Sequence, residues 1–267
     1  MSELRLETVL RRERIIVGVS LAILATAAWL YLLHMPATMP MHEPSMTGMP
    51  GMQGTSGSQA LRWTDVGALT GMWTVMMVAM MTPAAAPMIA TFAAVRRRRS
   101  AASRVAVPTA IFALGYLMVW TVFSVLAALA QTWLHSKALL SAAMAPTTPL
   151  LAGTLLIMTG VYQWTPLKRV CLRACRSPLS FLTTRWREGR RGAVAMGLDH
   201  GLYCLGCCWA LMALLFAAGV MNLGWVALVG VAVLVEKVAP RGDVVGRFAG
   251  LVLFATGVVV AWRGLIG

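Results

Sequence analysis

The chain is 267 residues long, 59% hydrophobic and only 12% charged, with a net charge of +14. Soluble domains carry about a quarter charged residues, so a water-soluble fold would leave a large apolar surface exposed. A multipass membrane protein is the reading that remains, an all-α bundle of about seven transmembrane helices.

Each span needs about 20 apolar residues. The first covers residues 15–33, led by Arg11, Arg12 and Arg14 and closed by Trp29 and Tyr31 at an interface. Ala25-Thr26-Ala27 loosely resembles a signal-peptidase site, but the apolar run continues past it, which favours an uncleaved anchor. Residues 34–60 are rich in Pro, Gly, Ser and Met without periodicity, which predicts a flexible loop. The second span, 63–95, contains Pro83 and Pro87 and is expected to kink or break there. The third covers 108–133 and the fourth 149–166. A strongly basic loop, 167–192, leads to the fifth span at 193–220, a short sixth at 225–238 and a seventh at 245–262. Three regions follow: an N-terminal anchor (1–33), an outer loop (34–60) and a six-span membrane domain (61–267).

Charge fixes the expected orientation. With the N-terminus inside, twenty Lys and Arg fall on inner segments, leaving only Arg62, Lys137 and Arg263 outside. This asymmetry is the positive-inside pattern and places the C-terminus outside. The positive charge is thereby assigned to topology and contact with the lipid bilayer, leaving no call for nucleic acid.

The remaining question is whether the 19 Met and 5 Cys are packing or chemistry. In the fifth span, His200, Cys204 and Cys207 share one narrow helical face, with Cys208 at its edge. Single cysteines often pack as small hydrophobes, but this clustering beside His200 and Asp199 favours a metal site. Ionisable residues inside a membrane are functional candidates by default, which adds Asp199 and Glu236. In the second span, Met72, Met76 and Met80 form one stripe and Met77, Met81 and Met88 another. Thioethers and thiolates favour soft ions such as copper(I), although Met also serves as an adaptable core filler. The outer loop adds His34, Met35, Met39, Met41, His42, Met46, Met49 and Met52, spacings suited to capturing Cu(I) or Ag(I). Cys171 and Cys175, four residues apart among cations, form an inner candidate for metal acceptance or dithiol redox chemistry. Zinc is the alternative metal, with Cys204 or Cys207 completing a site only if the basic segment dips into the membrane. His135 reads as an ordinary loop residue.

Three segments carry a family resemblance: WTVMMVAMMTPAAAPM at 73–88, YQWTPLKRVCLRACRSPL at 162–179, and HGLYCLGCCWALM at 200–212 followed by Gly219-Val-Met-Asn222. Together they resemble the DUF2182 family of predicted metal-binding integral membrane proteins, from about Trp63 to the C-terminus. The resemblance implies a bacterial inner-membrane protein that binds metal. Met76, Met77, Met80, Met81, Cys171, Cys175, His200, Cys204, Cys207, Cys208 and Glu236 sit in the matching segments; the outer loop lies outside them.

The leading functional expectation is copper(I) handling: uptake, transfer, or delivery to a cuproprotein or through a periplasmic metallochaperone. A membrane oxidoreductase using Cys207–Cys208 or Cys171–Cys175 is the first alternative, since disulfides between adjacent cysteines are strained and labile. An assembly subunit docking a partner through Gly153, Gly160 and Gly201 is the second.

Overall fold

The computed structural model describes residues 2–38, 63–99, 105–137, 139, 148–220 and 222–266. Among these are nine helices and no strand: α1 (Ser2–Thr38), α2 (Trp63–Arg99), α3 (Ala106–Ser136), α4 (Pro149–Tyr162), α5 (Pro166–Arg176), α6 (Pro178–Arg185), α7 (Gly189–Ala218), α8 (Leu223–Val238) and α9 (Gly242–Ile266). The fold is all-α, as the composition predicts. Among the described residues, five of these helices (α1, α2, α3, α7 and α9) are long and apolar enough to cross a membrane. α4 has 14 residues and α8 has 16, so they reach only about 21 and 24 Å, short of a hydrocarbon core of roughly 30 Å. The sequence expectation of seven spans therefore meets five helices that have the length to cross alone.

Local chemistry explains the boundaries. Thr148 and Thr165 cap α4 and α5 by accepting from Leu151 N and Lys168 N, each followed by a proline at the first helical position. Asn222 does the same for α8 through Trp225 N. α7 ends at Gly219, whose φ of +85° is a conformation only glycine adopts cheaply.

Two expectations are corrected. α2 runs unbroken through Pro83 and Pro87, so of the kink or break expected there the break does not occur. Pro83 and Pro87 take the helical N–H partner from the carbonyls of Ala79 and Pro83; nearby, Tyr116 Oη donates to the Met81 carbonyl (3.1 Å) and Thr91 Oγ1 to the Pro87 carbonyl (2.7 Å). Residues 167–192, expected as a loop, instead form most of α5, all of α6 and the first turn of α7. Their cations had masked an amphipathic pattern: Lys168, Cys171 and Leu172 of α5 are buried, the i, i+3, i+4 spacing of one helical face.

Packing is set by small residues. α3 lies along α7 and α4 along α9. A Cβ on Gly115 would sit 2.6 Å from the Val194 carbonyl oxygen, and one on Gly197 would collide with the Phe112 carbonyl, so these helices touch backbone to backbone. Gly201 faces Val119, and Gly153 and Gly160 face α9. The glycines expected to dock a partner are therefore used within the chain. Substituting Gly197→Leu should force α3 and α7 apart. Overpacking of this kind costs about 1–3 kcal/mol or more, read as a lower melting temperature of the detergent-purified protein. An unchanged melting temperature would contradict the packing.

The core between these helices holds all six α2 methionines, Met72, Met76, Met77, Met80, Met81 and Met88, none more than 7% exposed. Trp73 beside them donates its indole N–H to Gln131 Oε1 at 2.6 Å. At the basic end, Arg96 pairs with Glu188 at 2.9 Å and Arg99 lies over the Trp186 ring. The hydrogen bond from Trp186, together with Arg96, holds the Glu188 carboxyl below the usual carboxylate range. These contacts tie the end of α2 to the start of α7.

Candidate metal centre

α7 supplies the centre because its sequence places sulfur on consecutive turns. Cys204, Cys207 and Cys208 are all buried, at most 1% exposed. The thiols of Cys207 and Cys208 both donate back to the Cys204 carbonyl, at 3.1 and 2.9 Å. Both are back-bonds to the main chain one turn earlier, which fix the rotamers of Cys207 and Cys208 on α7.

Two residues that sequence reasoning passed over complete the surroundings of Cys204. Lys237 Nζ lies 2.8 Å from Cys204 Sγ, and Tyr116 Oη lies 3.1 Å from the same sulfur. Lys237 had been counted among inner basic residues; it is instead only 8% exposed. Its position directly after Glu236, at the end of an apolar helix, was the available signal. Tyr116 offered a weaker one, as a phenol in the middle of an apolar span whose hydroxyl must find a partner. That hydroxyl touches both the Met81 carbonyl and Cys204, and so links α2, α3 and α7 at one level.

α5 brings in the second cysteine pair. Cys175 Sγ stands 4.0 Å from Cys207 Sγ. A Cβ on Gly206 would come within 2.7 Å of Cys171 Sγ, so Cys171 occupies the space glycine leaves on α7. The pair expected as a separate inner acceptor thus adjoins the α7 cluster. α5 is held there at both ends. Near its start Lys168 Nζ bonds Glu236 Oε2 at 2.6 Å and Gln163 Oε1, with both ion-pair side chains buried. At its far end Arg176 donates to the carbonyls of Ala239 and Pro240 and faces Asp243.

His200 lies one turn before Cys204. Its ring stacks on Tyr116 with centroids 5.4 Å apart, and Phe112 and Phe181 flank it. The residue is 2% exposed, yet neither Nδ1 nor Nε2 has a hydrogen-bond partner. A buried unsatisfied polar group costs about 1–3 kcal/mol and calls for an explanation. An imidazole nitrogen free beside thiols is a fitting donor for a soft or borderline ion.

Other candidates lie elsewhere. Asp199 pairs with Arg185 and Arg187, at 3.5 and 3.8 Å. Glu236 is committed to Lys168. Met80 packs on Gly230 of α8, while Met76, Met77 and Met81 are buried in the core. His34 is exposed near the end of α1, and His135 belongs to the last turn of α3 rather than a loop. Met39, Met41 and His42 lie outside the described residues. Among the described residues no group of three His, Cys, Asp or Glu is arranged to hold a metal ion.

No curated protein and no solved structure matches the chain. Residues 70–260 match the PpoB2 family, described as a copper chaperone. That region includes α2 from its first methionine and contains every cysteine discussed above. The resemblance seen in the sequence is upheld as a copper-related family; the DUF2182 name is not what the match carries. With most of its length in this match, the chain belongs to the PpoB2 family, described as a copper chaperone.

Proposed function

We propose that this protein is a membrane-embedded copper(I) carrier that holds its cargo at the α7 cysteines and hands it to a cuproprotein. The observation that carries this reading is the set of buried cysteines Cys204, Cys207 and Cys208 on α7, with the half-buried Cys175 4.0 Å from Cys207, and a buried histidine one turn before them with no partner on either nitrogen. Thiolates are soft ligands that select Cu(I), and they must be deprotonated to bind it. Cys204, Cys207 and Cys208 are the primary donors in this reading, with His200 and Cys175 at the edge. The Met76, Met77, Met80 and Met81 thioethers supply weaker sites along α2, and His34 near the end of α1, with Met39, Met41 and His42 after it, collects the ion. Successive weak sites suit passage better than one deep trap. Zinc also accepts thiolate donors; the family's description as a copper chaperone is what favours copper.

The proposed setting is a bacterial inner membrane with the basic ends inside. The contacts joining Arg96 and Arg99 to the start of α7 support a common side for those segments. An anaerobic preparation loaded with Cu(I) under reducing conditions and desalted should retain about one copper per chain by elemental analysis. Copper-free protein carrying a Cys175–Cys207 disulfide in cells would instead favour the oxidoreductase alternative, since those thiols are already 4.0 Å apart.

A further inference from the structure

The basic end of α2 carries four consecutive arginines, Arg96 to Arg99, and two of them are spent on the fold. Arg96 pairs with Glu188, and Arg99 lies over the Trp186 ring. Arg98 is exposed and has no acidic partner among the described residues. It closes one end of a cavity of about 520 Å³, walled by Pro87, Ala90, Ala94 and Val95 of α2 and by Leu179 of α6. Thr91 also lines this cavity, but its hydroxyl is turned back onto the Pro87 carbonyl. The groove is therefore apolar along its length, with a cation at one end and no acid in its walls.

Helical period puts these residues in line. Pro87, Thr91, Ala94 and Arg98 follow one another at i, i+4, i+7 and i+11 on one face of α2, about 16 Å from first to last. That is close to the depth of one leaflet, half of a hydrocarbon core of roughly 30 Å. We infer that this groove is a site for one anionic phospholipid of the inner leaflet, with an acyl chain laid along α2 past Ala90, Ala94 and Leu179 and its phosphate on Arg98. The alanines leave the width a chain needs, and a guanidinium meets phosphate with paired N–H donors. A free phosphate has no use for the apolar length, and a bare acyl chain has none for the arginine. A zwitterionic headgroup would bring its own cation into the arginine cluster, so net negative charge is selected. The inference rests on the membrane setting proposed above, with the basic ends inside, and adds a ligand to it.

The test is native mass spectrometry of the full chain in detergent, offered phosphatidylglycerol and phosphatidylcholine of equal chain length. The wild type should keep phosphatidylglycerol over phosphatidylcholine by about tenfold. Arg98→Gln should cut that preference about fivefold, while Arg247→Gln, which removes an equally exposed cation from α9, should leave it unchanged. Ala94→Leu fills the groove with the charge intact and should lose both lipids. An equal fall in Arg98→Gln and Arg247→Gln overturns the site in favour of diffuse surface charge. Undiminished lipid occupancy in Ala94→Leu overturns the groove, and it decides the matter if Arg98→Gln does not fold. Displacement of the lipid by millimolar inorganic phosphate overturns the lipid in favour of a soluble anion. Any of these results in a chain that stays in the membrane fraction leaves the membrane setting standing. A chain that remains in solution without detergent rejects that setting and this inference with it.

Discussion

Serine at Cys204, Cys207 and Cys208 together should abolish copper retention, from about one ion per chain to background, while leaving the helical content intact. The substitution exchanges soft sulfur for hard hydroxyl oxygen at nearly constant volume, and hydroxyls are poor ligands for Cu(I). The hydroxyls can still donate to the carbonyl that Cys207 and Cys208 now share, so folding need not suffer. Circular dichroism on the same preparation separates lost binding from lost structure. Full copper retention by the triple variant would remove α7 from the site. Cys204→Ser alone should cost more than Cys208→Ser, since Cys204 is the sulfur that Lys237 and Tyr116 both face.

Lys168→Met should be the most destabilising single change outside the cysteine cluster. It would leave Glu236 buried without its counter-charge, on a side chain 3% exposed. Breaking a buried ion pair from one side costs about 3–5 kcal/mol, whereas replacing both partners with apolar groups of similar volume is often neutral. The double variant Lys168→Met/Glu236→Met should therefore melt well above the single variant and near the parent. Thermal melting in detergent gives the comparison, and a single variant as stable as the parent would show that the pair does not anchor α5. The change also bears on the cysteine cluster, because Lys168 anchors one end of α5, the helix that carries Cys175 beside Cys207.

The helices were legible in the sequence because an apolar run of sufficient length has few other uses. The sulfur face of α7 was legible for the same local reason: Cys204, Cys207 and His200 belong to one helix, and helical period alone aligns them. What the sequence could not yield were meetings between helices. Asp199 sits one residue from His200, so proximity made it a candidate, yet it pairs with Arg185 and Arg187. Lys237 looked like an ordinary basic terminus because hydropathy weighs a lysine by its charge and ignores what it faces. The basic residues of α5 hid a helix with a buried side for the same reason. Tyr116, 35 residues away, donates to the Met81 carbonyl, a contact that no window centred on Pro83 contains.

The contact between α4 and α9 places a short helix by means of a distant one. At 14 residues, about 21 Å, α4 falls short of a hydrocarbon core of roughly 30 Å. It fits α9 through Gly153 and Gly160, where a Cβ would strike Ala261 and Phe254. α9 begins eighty residues after Tyr162, at Gly242, so the seat of α4 is built from a segment far along the sequence, and any change that removes α9 also removes the backbone on which α4 rests.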